Sequence, residues 1–160
     1  MTQKANFEPK EWHDLLHFAC IGVSYKYSTR DLHSLNQLVV FIREMMSVQQ
    51  FLTGAREKYG RYELINDLIN ELVTSCNSRE EMLNDNIADI KNLKPVIERA
   101  NQILNDHVSA EEAQAMRAFT YELAFEIANA AGDGFFGTGE KISQSENEFL
   151  QELKRRLLEI

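Results

Sequence analysis

Four acidic residues surround one glycine-rich segment in the last third of the sequence. Glu126 and Asp133 share one flank of a helical pattern, and Glu140 and Glu146 follow shortly afterwards. Hard divalent cations prefer several oxygen ligands, which carboxylates supply. These residues therefore form a candidate site for calcium, magnesium or manganese, with zinc less favoured. Turn and capping chemistry is the alternative, since it accounts for most of the same residues.

A second candidate is the pair His13 and His17, which lie four residues apart and so one helical turn apart. This spacing is compatible with zinc, and Asp14 stands where a metalloprotease carries glutamate. A third ligand is needed, and the candidates are His33, Asp14 or an acidic residue from elsewhere in the chain, which the sequence does not place. The pair favours a zinc-dependent hydrolase only as an alternative, because surface histidines with ordinary partners are the commoner outcome.

Along the chain that must position these residues, apolar residues mostly recur at the spacing of an α-helix. The alternating pattern of β-strands is scarce. The helical spacing predicts an all-α fold, a single-domain bundle of about seven helices over residues 1–160. The predicted helices carry apolar residues on one face, such as Trp12, Leu15 and Val23; Leu35 to Leu52; Leu64, Leu68 and Leu72; Leu83, Ile87 and Leu93; Ile97, Ala100 and Leu104; Met116, Phe119 and Leu123; and Phe149, Leu150, Leu153 and Leu157. Gly54 and Gly60 are predicted to bracket a break, and Pro95 to end or kink the fourth helix.

Four helix starts share one device, in which a serine accepts a backbone hydrogen bond and an acidic residue reaches back. The pairs are Ser28 with Asp31, Ser78 with Glu81, Ser109 with Glu112, and Ser143 with Glu146. Segments 15–46 and 123–157 both show a helix, a short polar loop and a serine-capped helix. The sequence therefore suggests two loosely related halves.

Composition narrows the function classes. The net charge is −8, which disfavours nucleic-acid binding because phosphate backbones require a basic surface. No apolar run reaches the roughly 20 residues of a membrane span, and no signal-type segment is seen, so we expect a cytoplasmic protein. Both cysteines, Cys20 and Cys76, lie in apolar helical patterns and are expected to be buried, reduced thiols.

The glycine-rich segment also carries a family resemblance. Ala-Ala-Gly-Asp-Gly, then Lys-Ile-Ser-x-x-Glu and Phe-Leu-x-x-Leu, resembles the signature of TerB-like tellurite-resistance proteins. Asp133, Gly134, Ser143 and Glu146 match its Asp, Gly, Ser and Glu. The chain departs from the pattern by inserting residues 135–141.

The first half resembles the signature only loosely. Ser24 and Tyr25 replace the Asp-Gly there, and Asp31 replaces the Glu, so the first acidic cluster of the family is largely lost. The resemblance implies an all-helical domain of about seven helices with two halves. It also implies a link to tellurite and chemical-stress resistance through acidic clusters, metal ions and partner proteins, with no catalytic reaction.

The sequence therefore predicts a non-enzymatic, TerB-like stress-resistance protein that acts by binding a protein and a divalent cation. The zinc-dependent hydrolase and a structural, dimerising helical protein remain alternatives. Phe135 and Phe136, two aromatic residues in the glycine-rich segment, suggest a contact with a partner or with a second copy, because aromatics often anchor interfaces.

Overall fold

The computed structural model describes residues 2–28, 35–75, 93–130 and 142–158, without the side chains of 27, 28, 35–43 and 75. Within those ranges it is all-helical and contains no strand, which confirms the predicted fold class. The elements are a 3₁₀ turn, Lys4–Asn6, and seven α-helices: α1 Pro9–Ala19, α2 Ile21–Ser28, α3 Leu35–Tyr59, α4 Glu63–Ser75, α5 Leu93–His107, α6 Ala110–Ala130 and α7 Gln144–Leu158.

The first predicted helix is two helices. Pro9 opens α1, because its missing N–H costs nothing in a first turn. The Glu8 N–H donates to Glu11 Oε2 at 3.0 Å. The chain then leaves helical geometry at Cys20, with φ −89° and ψ 10°. Val23 therefore belongs to α2 and not to the first helix. Cys20 is buried, as predicted, and forms no disulfide within the described residues.

The predicted break at Gly54 was wrong, since α3 continues through this residue and ends only at Tyr59, before Gly60. A helical glycine costs about 0.8–1.0 kcal/mol relative to alanine. Burial of one α3 face offsets that cost, and the buried side chains of this face include Val48, Leu52, Ala55 and Tyr59.

Helices α4 and α5 confirm their predicted apolar faces. Leu64, Leu68 and Leu72 are buried in α4, and Ile97, Ala100 and Leu104 are buried in α5. Most of the predicted fourth helix, the pair Ser78 and Glu81, and Cys76 fall in 76–92, outside the described residues. Leu93, predicted in that helix, lies in α5, which continues through Pro95. Seven helices are thus described, but α2 takes the place of the predicted fourth helix in that number.

Helix α6 is the centre of the bundle and contacts α1, α2, α3, α5 and α7. Small residues allow its neighbours to approach closely. A Cβ added to Gly22 of α2 would lie 2.5 Å from both Cα and Cβ of Ala124, so the two helices touch through their backbones. Large apolar residues fill the rest of the α6 surface, among them Met116, Phe119, Leu123 and Ile127, all buried.

Helix α7 covers one side of α6 with the predicted apolar face, and Phe149, Leu150, Leu153 and Leu157 are all buried. Two arginines near the end of α7, Arg155 and Arg156, bind the carboxylate of Glu152. Arg155 donates to Glu152 at 2.8 and 2.9 Å, and Arg156 Nε donates to it at 2.6 Å. These bonds, led by the one from Arg155, lower the pKa of Glu152 to about 2.

No helix within the described ranges has both the length and the apolar character needed to cross a membrane.

Candidate functional site

The predicted acidic site lies where α6 ends and α7 begins, and we call this region the corner. Helices α6 and α7 pack together, with Ala130 and Gln144 at the facing ends. Asp133 and Glu140 fall in 131–141, outside the described residues, as do Phe135 and Phe136. Glu126 and Glu146 are the two predicted ligands whose surroundings are known.

Glu146 caps the start of α7 as the sequence predicts. The Ser143 N–H donates to Glu146 Oε2 at 2.9 Å, the Ser143 hydroxyl donates to the same oxygen at 2.8 Å, and the Glu146 N–H donates back to Ser143 Oγ at 3.3 Å. This reciprocal arrangement satisfies backbone donors that the helix itself leaves unpaired. The motif residues Ser143 and Glu146 therefore shape the helix start.

The other capping pair within the described ranges is only half formed. The Glu112 N–H donates to Ser109 Oγ at 3.3 Å, as predicted. The Glu112 carboxylate, however, is buried and accepts a hydrogen bond from the Thr2 hydroxyl at 2.9 Å. It therefore joins α6 to the residues that precede α1. The pair Ser28 and Asp31 extends into 29–34, outside the described residues.

Glu146 also binds a buried lysine. The ammonium group of Lys26, on α2, contacts Glu146 Oε1 and lies 3.7 Å from Glu44 Oε1 on α3. Lys26 is 5% exposed and Glu44 is 1% exposed. Charged residues are almost never this buried unless they are paired, because removing a charge from water is costly. One ammonium group thus joins α2, α3 and the first turn of α7.

Glu126 is held by the adjacent turn of α3. The Ser47 hydroxyl donates to Glu126 Oε1 at 2.7 Å, and Ser47 lies three residues after Glu44 on the same helix. Residues three positions apart in sequence are neighbours on a helix surface, so Ser47 and Glu44 lie close together. The corner therefore carries three carboxylates and one ammonium group within the described residues, with Lys26 in the position of a cation between Glu44 and Glu146.

Aromatic packing holds α2 against α7 beside this charge cluster. The rings of Tyr25 and Phe149 are stacked, with centroids 4.0 Å apart and planes inclined by 9°. The Tyr25 hydroxyl donates to the carbonyl of Ser145 at 3.4 Å. Such pairs contribute beyond their buried area, so the stacking helps to hold α2 against α7 next to Lys26 and Glu146.

Lys26 and Glu44 were not predicted as residues of the site, although both leave a signal in the sequence. Lys26 lies between Tyr25 and Tyr27, directly after a mostly apolar stretch, and every residue from Ile21 to Lys26 is buried in the structure. Glu44 lies four residues before Val48 and eight before Leu52, so helical periodicity puts it on the apolar face of α3. A charge on an apolar face on each of two helices indicates a buried ion pair.

The histidine pair of the alternative prediction lies on α1, with ring centroids 6.3 Å apart. Asp14, between them, is 3.8 Å from Arg99 on α5. Among the described residues, no three histidine, cysteine, aspartate or glutamate side chains are arranged so that they could hold a metal ion, here or at the corner. His33, the other candidate ligand, lies outside them, so neither metal prediction is tested.

Comparisons with family models, with curated proteins and with solved structures returned no match. The resemblance to TerB-like proteins thus depends on the residues themselves and remains a prediction.

Proposed function

We propose that this chain is a non-enzymatic, TerB-like binding module of tellurite or chemical-stress resistance, which binds a protein partner and a divalent cation at the corner between α6 and α7. The observation that supports the proposal most directly is the double role of Glu146. This residue of the signature-like Ser-x-x-Glu pattern both caps α7 and binds the buried Lys26.

Burial of the cluster is the first reason to assign the corner a binding role. A buried ion pair adds little net stability compared with apolar residues of similar volume, because desolvation offsets the attraction. The cluster does hold three helices in one arrangement, through Lys26 on α2, Glu44 on α3 and Glu146 on α7. A rigid support of this kind reduces the free energy lost when neighbouring residues bind a ligand.

The second reason to assign the corner a binding role is the division of work among its carboxylates. Both oxygens of Glu146 already accept a contact from the chain, one from Lys26 and one from Ser143. We therefore infer that Glu146 positions the corner, while Asp133, Glu140 and Glu126 supply oxygen atoms to the cation. A hard cation suits oxygen ligands and a locally acidic environment.

The experiment is a thermal melt of the full chain with Mg²⁺, Ca²⁺, Mn²⁺ or Zn²⁺. A cation that binds only the folded state at 100 times its Kd stabilises it by about 2.7 kcal/mol. For a chain of this size, that corresponds to a rise in Tm of roughly 5–10 °C. We expect Asp133→Ala to abolish the rise with the preferred ion.

Glu57→Ala is the matched control, because Glu57 is an exposed carboxylate on α3 and its loss should leave the cation-dependent rise intact. A Tm unchanged by all four ions contradicts the cation part of the proposal. A rise seen only with Zn²⁺ and abolished by His13→Ala contradicts it as well, and supports the hydrolase alternative.

A further inference from the structure

Residues 2–7, which we call the strap, contact a row of acidic residues on α4 and do not belong to the corner. Glu63, Asp67 and Glu71 are spaced four residues apart and so share one face of α4. Each of them accepts a hydrogen bond from Gln3 or Lys4, at 2.6 to 2.9 Å. The row therefore binds the strap through main-chain and side-chain donors together.

The contacts of Lys4 have the chemistry of a lysine-binding site. Its ammonium group donates to Glu71 Oε2 at 2.6 Å and lies 5.4 Å from the centre of the Trp12 ring. Trp12 Nε1 donates to the same Glu71 oxygen at 2.7 Å and so orients the carboxylate. A carboxylate beside the face of a tryptophan attracts an ammonium group by charge and by the ring quadrupole.

The strap is held mainly by exposed contacts. The Lys4 side chain is 53% exposed, and the bonds from Gln3 and Lys4 to α4 are all at the surface. Phe7 is the buried anchor, with its ring 6.0 Å from that of Trp12 and 5.7 Å from that of His107. The Thr2 hydroxyl adds a partly buried hydrogen bond to Glu112 on α6, at 2.9 Å. Exposed ion pairs contribute little stability, so local opening of the strap costs chiefly the contacts of Thr2 and Phe7.

We propose that the acidic row and Trp12 form a binding site for a lysine-bearing peptide segment of a partner protein, and that the strap occupies this site as an intramolecular competitor. Of the three carboxylates, Glu71 is paired with the ammonium group of Lys4, whereas Glu63 and Asp67 accept neutral N–H groups of Gln3 and Lys4. The negative charge of the row therefore exceeds the positive charge of the strap side chains bound to it, which favours a cationic partner. Trp12 is buried at 4% exposure beneath the strap, and opening would uncover it as an aromatic anchor. The inference does not depend on the corner or on a cation.

The test uses a fluorescein-labelled, acetylated peptide, Thr-Gln-Lys-Ala-Asn-Phe, which copies the strap, and a second peptide with norleucine in place of lysine. The peptide binds only after the strap has opened. The apparent Kd of the full wild-type chain is therefore the intrinsic Kd divided by the fraction of molecules in which the site is open. We expect the variant Lys4→Ala/Phe7→Ala to bind the lysine peptide at least about tenfold more tightly than wild type. Adding Glu71→Gln to that variant should remove the gain, and so should the norleucine peptide.

Trp12 is the only tryptophan of the chain, so its fluorescence reports directly on the site. Circular dichroism verifies folding, and Lys4→Ala alone, which keeps Phe7, replaces the double variant if that does not fold. Lys94→Ala is the matched control, because Lys94 is an exposed lysine paired with Glu98 on α5 and should leave peptide binding unchanged.

Two results would overturn the proposal. One is equal binding of the lysine and norleucine peptides to a folded, strap-weakened variant, because the site would then not recognise lysine. The other is a wild-type dimer in light scattering that Lys4→Ala dissociates, because the strap would then be exchanged between copies of this chain rather than displaced by a different protein.

Discussion

Lys26 and Lys4 each bring an ammonium group to carboxylates on other helices, in opposite surroundings. Lys26 is buried with Glu44 and Glu146, whereas the Lys4 side chain is half exposed beside Glu71. Breaking a buried pair leaves an uncompensated charge out of water, whereas an exposed pair is replaced by water at little cost. The same chemistry thus fixes the arrangement of helices at the corner and makes a replaceable contact at the strap.

The largest expected effect comes from replacing each lysine with methionine, which keeps most of the side-chain volume. Lys26→Met removes the cation between Glu44 and Glu146 and should reduce the free energy of unfolding by about 3–5 kcal/mol. Lys4→Met should reduce it by no more than about 1 kcal/mol. Urea denaturation followed by circular dichroism measures both variants.

A second variant checks the cause of the Lys26 effect. Adding Glu146→Gln to Lys26→Met removes one of the carboxylates left without the ammonium group, so it should recover part of the lost stability. If Lys26→Met and Lys4→Met cost the same, the contrast between the two regions is wrong.

An intermediate effect is expected at the close contact of α2 and α6, which holds Lys26 in place. Gly22→Ala would put a methyl group 2.5 Å from Ala124, and overpacking of this kind costs about 1–3 kcal/mol. Gly54→Ala is the matched control, because no heavy atom lies within 4 Å of its added Cβ. That change should stabilise the exposed face of α3 by about 0.8–1.0 kcal/mol.

Combining Gly22→Ala with Ala124→Gly should restore part of the stability, because it removes the methyl group of Ala124. Thermal melts of wild type and these three variants measure the order of stability. A Gly22→Ala variant as stable as wild type would show that α2 and α6 can move apart, which contradicts a tightly held corner.

The smallest effect is expected at Glu152, an ion-pair cluster near the surface of α7. Its pKa is lowered from 4.5 to about 2, chiefly by the hydrogen bond from Arg155. The bonds therefore stabilise the folded state above pH 4.5, and the stabilisation disappears as the pH falls toward 2. Glu152→Gln should cost up to about 1 kcal/mol at pH 7 and progressively less in acid.

Melting curves of wild type and Glu152→Gln between pH 7 and pH 3 give this difference directly. Glu152→Gln combined with Arg155→Met should cost less than the two single changes added together, because both remove the same bonds. A difference that stays constant with pH would exclude the ion pairs as its origin.

Much of the fold was predictable because helices form from local hydrogen bonds and a regular apolar period. The residues that form the apolar face of α7 and the cap of Ser143 and Glu146 lie within a few residues of each other, and the structure confirms both. The breaks were not predictable by the same means. Gly54 is tolerated because α3 packs on its other face, whereas α1 ends at Cys20 without a proline or glycine at that residue to announce it.

The candidate site was predictable only in part. Glu146 was found through its capping pattern, and Glu126 through its place on the flank of α6. Their partners were not, because Lys26 and Ser47 are far away in sequence and meet these carboxylates only when α2 and α3 pack beside α6 and α7. A local period can place a charge on a buried helix face, but it does not identify the distant residue that this charge meets.

By itself, the sequence determined that the chain forms amphipathic helices, where α7 begins, and that its surface is acidic, because these follow from neighbouring residues and composition. Only the tertiary structure decided which charges are buried and which remain in water. The cost of desolvation depends on what packs around a charged group. Lys26 and Lys4 are the same type of residue, but Lys26 is a buried support between helices and Lys4 makes an exposed contact.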